Sequence, residues 1–270
     1  MNLVQVEDKL FLFAVLIYAL TMVLYFFSYI NKSEKIGTRA QNVLMVAFII
    51  HTIAIIVRGI ASKRVPLTNQ YEFATAFAWG IALFLIIFEK KYKYYSMGTF
   101  VVPLLLIVIG YAALRNKEIQ PLMPALKSWW LVIHVSLAIL SYGSFAVATG
   151  TSLMFLIQDK KESKDARLPS KEKLDEITYR AVLVGFLFLS MTIVTGALWA
   201  KKSWGRYWAW DPKETWSLVT WIIYTLYLHL RRSKGLADKN AAWFFIIGFI
   251  AVLFTYIGVN TFLPSLHSYV

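Results

Sequence analysis

Two groups of residues in this chain have the types and spacing for chemistry. The first is the run from Trp204 to Trp216, Trp-Gly-Arg-Tyr-Trp-Ala-Trp-Asp-Pro-Lys-Glu-Thr-Trp, set between two long apolar stretches. Trp204, Tyr207, Trp208, Trp210 and Trp216 offer flat polarisable faces and a few hydrogen-bond donors, and Arg206 and Lys213 can neutralise acidic groups. Such a surface suits a large flat ligand bearing carboxylates, and haem is one. The same composition also fits an interfacial belt, in which Trp and Tyr sit at headgroup level. The second group is the four histidines, His51, His134, His229 and His267. Imidazole is a common axial ligand of haem iron.

The elements that must position these groups are apolar. Hydrophobic residues make up 59% of the 270 positions and charged residues 16%, which excludes an ordinary soluble domain. We expect an all-α polytopic transmembrane helix bundle of about eight spans, forming a single membrane domain over residues 1–270. The segments run near Leu10–Ile30, Ala40–Ile60, Phe73–Phe88, Met97–Leu114, Trp129–Ile157, Ala181–Ala200, Thr215–Leu230 and Ala241–Phe262, measured against the about 20 residues that a hydrocarbon core requires. The third and seventh are short. The first run has no evident small-residue cleavage site after it and reads as a retained helix.

Orientation follows from the basic residues. Alternate connections starting at Asn31 hold 17 of the 28 Lys and Arg and the other set holds 11, which places the first set in the cytoplasm and both termini outside. The tryptophan-rich stretch, taken as an outer loop over 201–216, then shares the outer face with the Arg115–Lys127 connection and the tail after Phe262. Residues 158–180 form a charged cytoplasmic loop with Ser170 as a helix N-cap. The formal charge of +13 is scattered between apolar runs, so it argues for a lipid bilayer and against nucleic acid. With no Cys, any thiol chemistry must use the thiols of a partner. No phosphate-binding Gly loop, dinucleotide Gly pattern, His-Glu-x-x-His or nucleophile triad is present.

Depth along the helices separates the histidines. His134 lies roughly 8 Å below the outer start of the fifth segment, at about 1.5 Å per residue, and His267 lies in the outer tail. Both face the side of the tryptophan-rich stretch, so the pair suits axial ligation of one haem iron there. His134 alone also fits a buried imidazole bonded to a neighbouring helix, and His267 alone a solvated tail residue. His51 lies about 16 Å from the cytoplasmic face and His229 about 9 Å or less. An ionisable side chain at such depth needs a polar partner or a ligand. For His51 the choices are haem contact or a hydrogen bond to a facing helix. Arg58, seven residues later on the same helical face, suits a haem propionate or a snorkelled contact with outer headgroups. Asn69 reads as a helix cap with Glu72 favouring the N-terminal dipole. Asp211, Pro212 and Glu214 read as the cap, first position and first turn of the seventh helix.

The stretch Trp204–Trp216 resembles the tryptophan-rich WWD signature of the haem-handling proteins of cytochrome c maturation. Its continuation to Arg231, including Tyr-Leu-His-Leu-Arg at 227–231, is similar to the CcsA/ResC branch, the system II cytochrome c synthase component. The resemblance extends to the Gly-Val-Asn…Leu-His-Ser-Tyr ending at 258–269 and, more loosely, to Pro66–Trp79. It implies that haem b is bound and presented at the outer face for thioether attachment to apocytochrome c carrying a Cys-x-x-Cys-His segment. It also implies action with a CcsB/ResB-type membrane partner, in the inner or cytoplasmic membrane, or the thylakoid membrane of a plastid. His134 and His267 match the two external histidines that flank the signature in this family, and His229 matches its membrane-embedded histidine. Part of the inner-haem ligation there is attributed to the partner, which weighs against a His51–His229 pair. A non-catalytic haem carrier or regulatory membrane protein of the same superfamily is the alternative, and an electron-transfer protein resembling a cytochrome b is a further rival.

Overall fold

The computed structural model describes residues 2–160 and 167–263. Among these the chain is built from helices: α1 Leu3–Asn31, α2 Glu34–Ser62, α3 Gln70–Tyr92, α4 Ser96–Ala113, α5 Trp129–Lys160, α6 Lys171–Trp204, α7 Pro212–Lys234, α8 Lys239–Leu253 and α9 Val259–Phe262. Five π-helical residues, Phe254–Gly258, join α8 to α9, so the last span is continuous from Lys239 to Phe262. Seven helices are long and apolar enough to cross a membrane. The exception is α7, which has 23 residues but carries Ser217, Thr220, Thr225 and His229 along its length. The polytopic all-α bundle expected from hydropathy is therefore observed, with α7 as its polar member.

Local chemistry sets the helix boundaries. Ser33, Asn69, Ser170, Asp211 and Asp238 each accept a backbone N–H from the first turn of the helix that follows, a cap worth about 1 kcal/mol. Two expected loops are shorter than the sequence suggested. The 201–216 stretch is helical up to Trp204 in α6 and again from Pro212 in α7, leaving 205–211 as the connection. The cause is capping. Gly205 ends α6 at φ +78°, where a side chain would be strained, while Asp211 and Glu214 form a reciprocal capping box that starts α7. Similarly, α5 runs to Lys160 and α6 starts at Lys171, so much of 158–180 is helix, with Ser170 capping as expected.

The packing depends on small residues and hydroxyls, as expected where helices cannot gain by leaving water. α3 is largely buried and crosses α5 where Gly80 meets Gly143. A Cβ at Gly143 would lie 2.5 Å from the Gly80 carbonyl oxygen. Ser141 and Ser144 of α5 donate to the carbonyls of Gly185 and Ala181 in α6 at 2.8 and 2.7 Å. Tyr224 brings α7 into the core by stacking on Phe145, with ring centroids 3.8 Å apart. These contacts fix α5 and α6, which carry the main site residues.

Candidate functional site

Three connections and the end of the last span meet at one end of the bundle around a cavity. Its walls come from Leu67–Gln70 at the entry to α3, Leu126 before α5, Tyr207 and Trp208 between α6 and α7, and Thr255, Tyr256 and Asn260 near the C-terminal end of the last span. From the helices, His134, Tyr142, Thr192, Gly196 and Trp199 project into it. The empty space is about 1090 Å³ when the solvent at its open mouth is included.

His134 is held from two sides. Its Nδ1 lies 2.8 Å from the Thr192 carbonyl oxygen on α6. A carbonyl only accepts, so the proton belongs on Nδ1 and the in-plane lone pair on Nε2, the arrangement of an oriented metal-ligating imidazole. Gly196, one turn beyond Thr192, makes room for the ring. A Cβ there would approach His134 Cε1 and Nδ1 to 2.8 Å. The Trp199 indole lies nearly parallel to the imidazole at 6.0 Å and is itself tied through Nε1 to the Ala125 carbonyl at 2.9 Å. Thus the hydrogen bond to a neighbouring helix weighed for His134 is present, and it orients the ring within the cavity wall.

The signature residues divide into three sets. Tyr207 and Trp208 line the cavity. Trp204 and Trp216 instead brace it from helices, Trp204 edge-on against Trp199 at 4.8 Å and Trp216 against Phe254 at 4.3 Å. Trp210 is 70% exposed and holds φ +57°, a left-handed conformation uncommon for a bulky residue. Arg206 is exposed and makes no ion pair among the described residues. Asp211 is buried as a cap, and Glu214 Oε2 accepts from the backbone N–H groups of Ala209 and Asp211 at 2.7 and 3.2 Å, fixing the loop that carries Trp208.

Of the remaining site candidates, His51, His229 and Arg58 lie apart from this cavity. His267 lies outside the described residues, four positions beyond the last of them, Leu263, and α9 contributes Asn260 to the cavity wall. His51 is fully buried with Nδ1 3.2 Å from the Tyr18 hydroxyl of α1, while Nε2 has no hydrogen-bond partner among the described residues. His229 is exposed on the outward side of α7. Arg58 is neither a snorkelled residue nor a group aimed at the cavity. It is 2% exposed, and it donates through Nε to Glu72 at 3.1 Å and through Nη1 to the Lys117 carbonyl at 2.6 Å. Glu72 is accordingly more than a dipole partner. Its second oxygen accepts from Arg64 at 2.7 Å and from the Thr68 backbone at 2.9 Å. Sequence reasoning missed Trp199, Tyr142, Tyr256 and Asn260 as cavity residues, because each is one aromatic or amide side chain within a long hydrophobic helix and only tertiary packing selects it.

The family model for cytochrome C assembly protein matches residues 67–267, three quarters of the chain and all of the cavity. The chain belongs to the cytochrome c assembly protein family. Relatives named cytochrome c biogenesis protein CcsA include that of Guillardia theta, 33% identical over 98% of both chains. One from Prochlorococcus marinus, 33% identical over 90% of this chain and 88% of the relative, and that of Mesostigma viride, 32% identical over 100% and 98%, are similarly close. Among solved structures the cytochrome c haem lyase CcmF shares the fold, with TM-score 0.77 and 17% identity, matching 98% of this chain and 48% of the lyase chain. The chain is thus a multi-pass membrane protein of CcsA type, and membership of this family places it in cytochrome c maturation.

Proposed function

We propose that this chain binds haem in the cavity beside His134 and presents it at the extracytoplasmic face for covalent attachment to apocytochrome c, as one component of a system II synthase. The observation that carries this reading is the convergence on one cavity of an imidazole oriented through Nδ1 and the aromatic faces of Tyr207, Trp208 and Trp199. His134 supplies one axial ligand and His267, carried beyond α9, the other. Tyr207 and Trp208 would hold the macrocycle, whose vinyl groups the Cys-x-x-Cys-His segment of the acceptor would meet at the mouth. Each acceptor thiol adds across a vinyl double bond, sulfur to one carbon and hydrogen to the other. The chain contributes no thiol of its own. Its contribution is geometry and exclusion of competing orientations.

His229, exposed within the membrane part of α7, suits contact with a CcsB/ResB-type partner that completes a second, inner haem site. Two measurements test the reading. Purified protein is expected to show the absorbance spectrum of bis-imidazole haem, weakened by His134→Ala or His267→Ala. A double substitution with unchanged haem content removes both ligand assignments. A reporter fused after Val270 is expected to be active outside the cytoplasm, and a cytoplasmic signal ends the outer-face assignment.

A further inference from the structure

A second cavity adjoins the first. The two share Thr68, Asn69, Gln70 and Leu126, and the second is otherwise lined by Arg64 and by residues 114–123 of the connection between α4 and α5. Two guanidinium groups face this space, and they differ. Arg64 is committed to Glu72 at 2.7 Å. Arg115 pairs with no carboxylate among the described residues. Its guanidinium lies over the Tyr111 ring at 4.5 Å, and its Nε is a buried donor with no acceptor among them. A buried charged donor without an oxygen is costly, by more than a neutral one, so a persistent one points to a ligand that completes it. Glu118, the carboxylate of this cavity, is exposed, makes no ion pair among the described residues and is screened by water.

Arg115 is also mechanically tied to the first cavity. The Tyr111 hydroxyl donates to Gln70 Oε1 at 3.0 Å, and the Tyr256 hydroxyl donates to the Gln70 carbonyl at 2.6 Å. Gln70 lines both cavities and Tyr256 lines the first. The stacked Arg115–Tyr111 pair is therefore held in register with the aromatic wall, on the opposite side of the shared Thr68–Gln70 sill.

We propose that the second cavity is a carboxylate pocket, in which Arg115 takes an acid group of the flat macrocycle that occupies the first. The inference rests on the haem reading above and assigns its propionate side: the ring lies against the aromatic wall and a propionate crosses the sill to the guanidinium. Arg58, which lines neither cavity and is tied through Nε to Glu72 and through Nη1 to the Lys117 carbonyl, is not the propionate partner. This arrangement fixes the rotation of the ring about its iron, and with it which edge faces the mouth.

The test compares haem with haem dimethyl ester, whose propionates are both methylated, by absorbance titration of the purified full-length chain. Wild type is expected to bind haem about tenfold more tightly than the ester, the factor that roughly one charge-assisted hydrogen bond supplies. Arg115→Gln is expected to abolish this preference by weakening haem binding alone, leaving ester affinity unchanged, which also reports that the variant is folded. Equal wild-type affinity for the two compounds overturns the carboxylate pocket without recourse to any variant, as does an Arg115→Gln protein that keeps the full preference. Failure of wild type to bind either compound removes the haem reading itself, and the pocket with it.

Discussion

The Arg58 cluster and the His134 cavity lie at the same end of the bundle and share the loop at Thr68, yet their polar groups meet different surroundings. In the cluster, Glu72 accepts from Arg58, Arg64 and Thr68, Tyr71 donates to Glu7, and Arg58 lies over the Tyr71 ring. Charge balances charge within α1, α2 and α3, largely away from water. Arg58 Nη2 and Glu7 Oε2 are left without hydrogen bonds there, but inside a paired cluster, whereas Asn260 Oδ1 and Arg115 Nε, likewise buried without hydrogen-bond partners among the described residues, stand where large aromatic faces border empty space. A charge-paired network of this kind stiffens a scaffold, whereas polar groups left over around a cavity indicate where a ligand completes the structure. The difference separates a frame from a site, and substitutions in the two are expected to fail different assays.

The largest effect is expected in the frame. Glu72→Ala leaves Arg58 and Arg64 without their shared carboxylate in a nearly dry position, and breaking a buried pair from one side costs about 3–5 kcal/mol. Thermal unfolding in detergent is expected to show that loss with or without haem. An unchanged midpoint would mean that the cluster is not the frame. In the site the expected effect is on affinity. Gly196→Ala sets a Cβ 2.8 Å from the His134 ring, so the ring must leave the Thr192 carbonyl. Loss of such an orienting partner weakens metal ligation by about 10- to 100-fold, and haem titration is expected to show it while the unfolding midpoint shifts by no more than about 1 kcal/mol. A variant that melts early but titrates normally would reverse the assignment.

These two substitutions also mark how far the sequence could be read. The spans were legible because a run of about 20 apolar residues has few other uses. The caps at Asn69, Ser170 and Asp211 were legible because a cap and the backbone N–H that donates to it lie within three residues. Arg58 was not. The residues that engage it, Glu72 and Lys117, lie 14 and 59 positions away, and no helical periodicity ties them together. Trp199 is similar, since its place beside His134 depends on the crossing of α5 and α6. The extent of the aromatic loop was misjudged for a different reason. Its composition is continuous from Trp204 to Trp216, while the backbone follows the glycine stop at 205 and the capping box at 211 and 214.

The smallest expected stability effect is the most informative about the mouth of the site. Trp210 keeps a left-handed backbone although its side chain is 70% exposed and meets Trp208 edge-on, with ring centroids 5.8 Å apart. Glycine adopts that conformation without steric cost, which removes strain of about 1–2 kcal/mol, but it adds about 0.5–1 kcal/mol of unfolded-state entropy. Trp210→Gly is therefore expected to change stability by between nothing and a gain of about 1.5 kcal/mol. A fold that keeps an exposed indole on a strained residue gains little from it in packing, so the face is available to something outside the chain. In cells that supply the partner and an apocytochrome, Trp210→Gly is expected to lower covalent haem staining of the acceptor while haem content of the purified chain stays at the wild-type level. Equal loss in both assays would place Trp210 with Trp208, as part of the wall that holds the ring. Undiminished staining would reduce it to a residue of the interfacial belt.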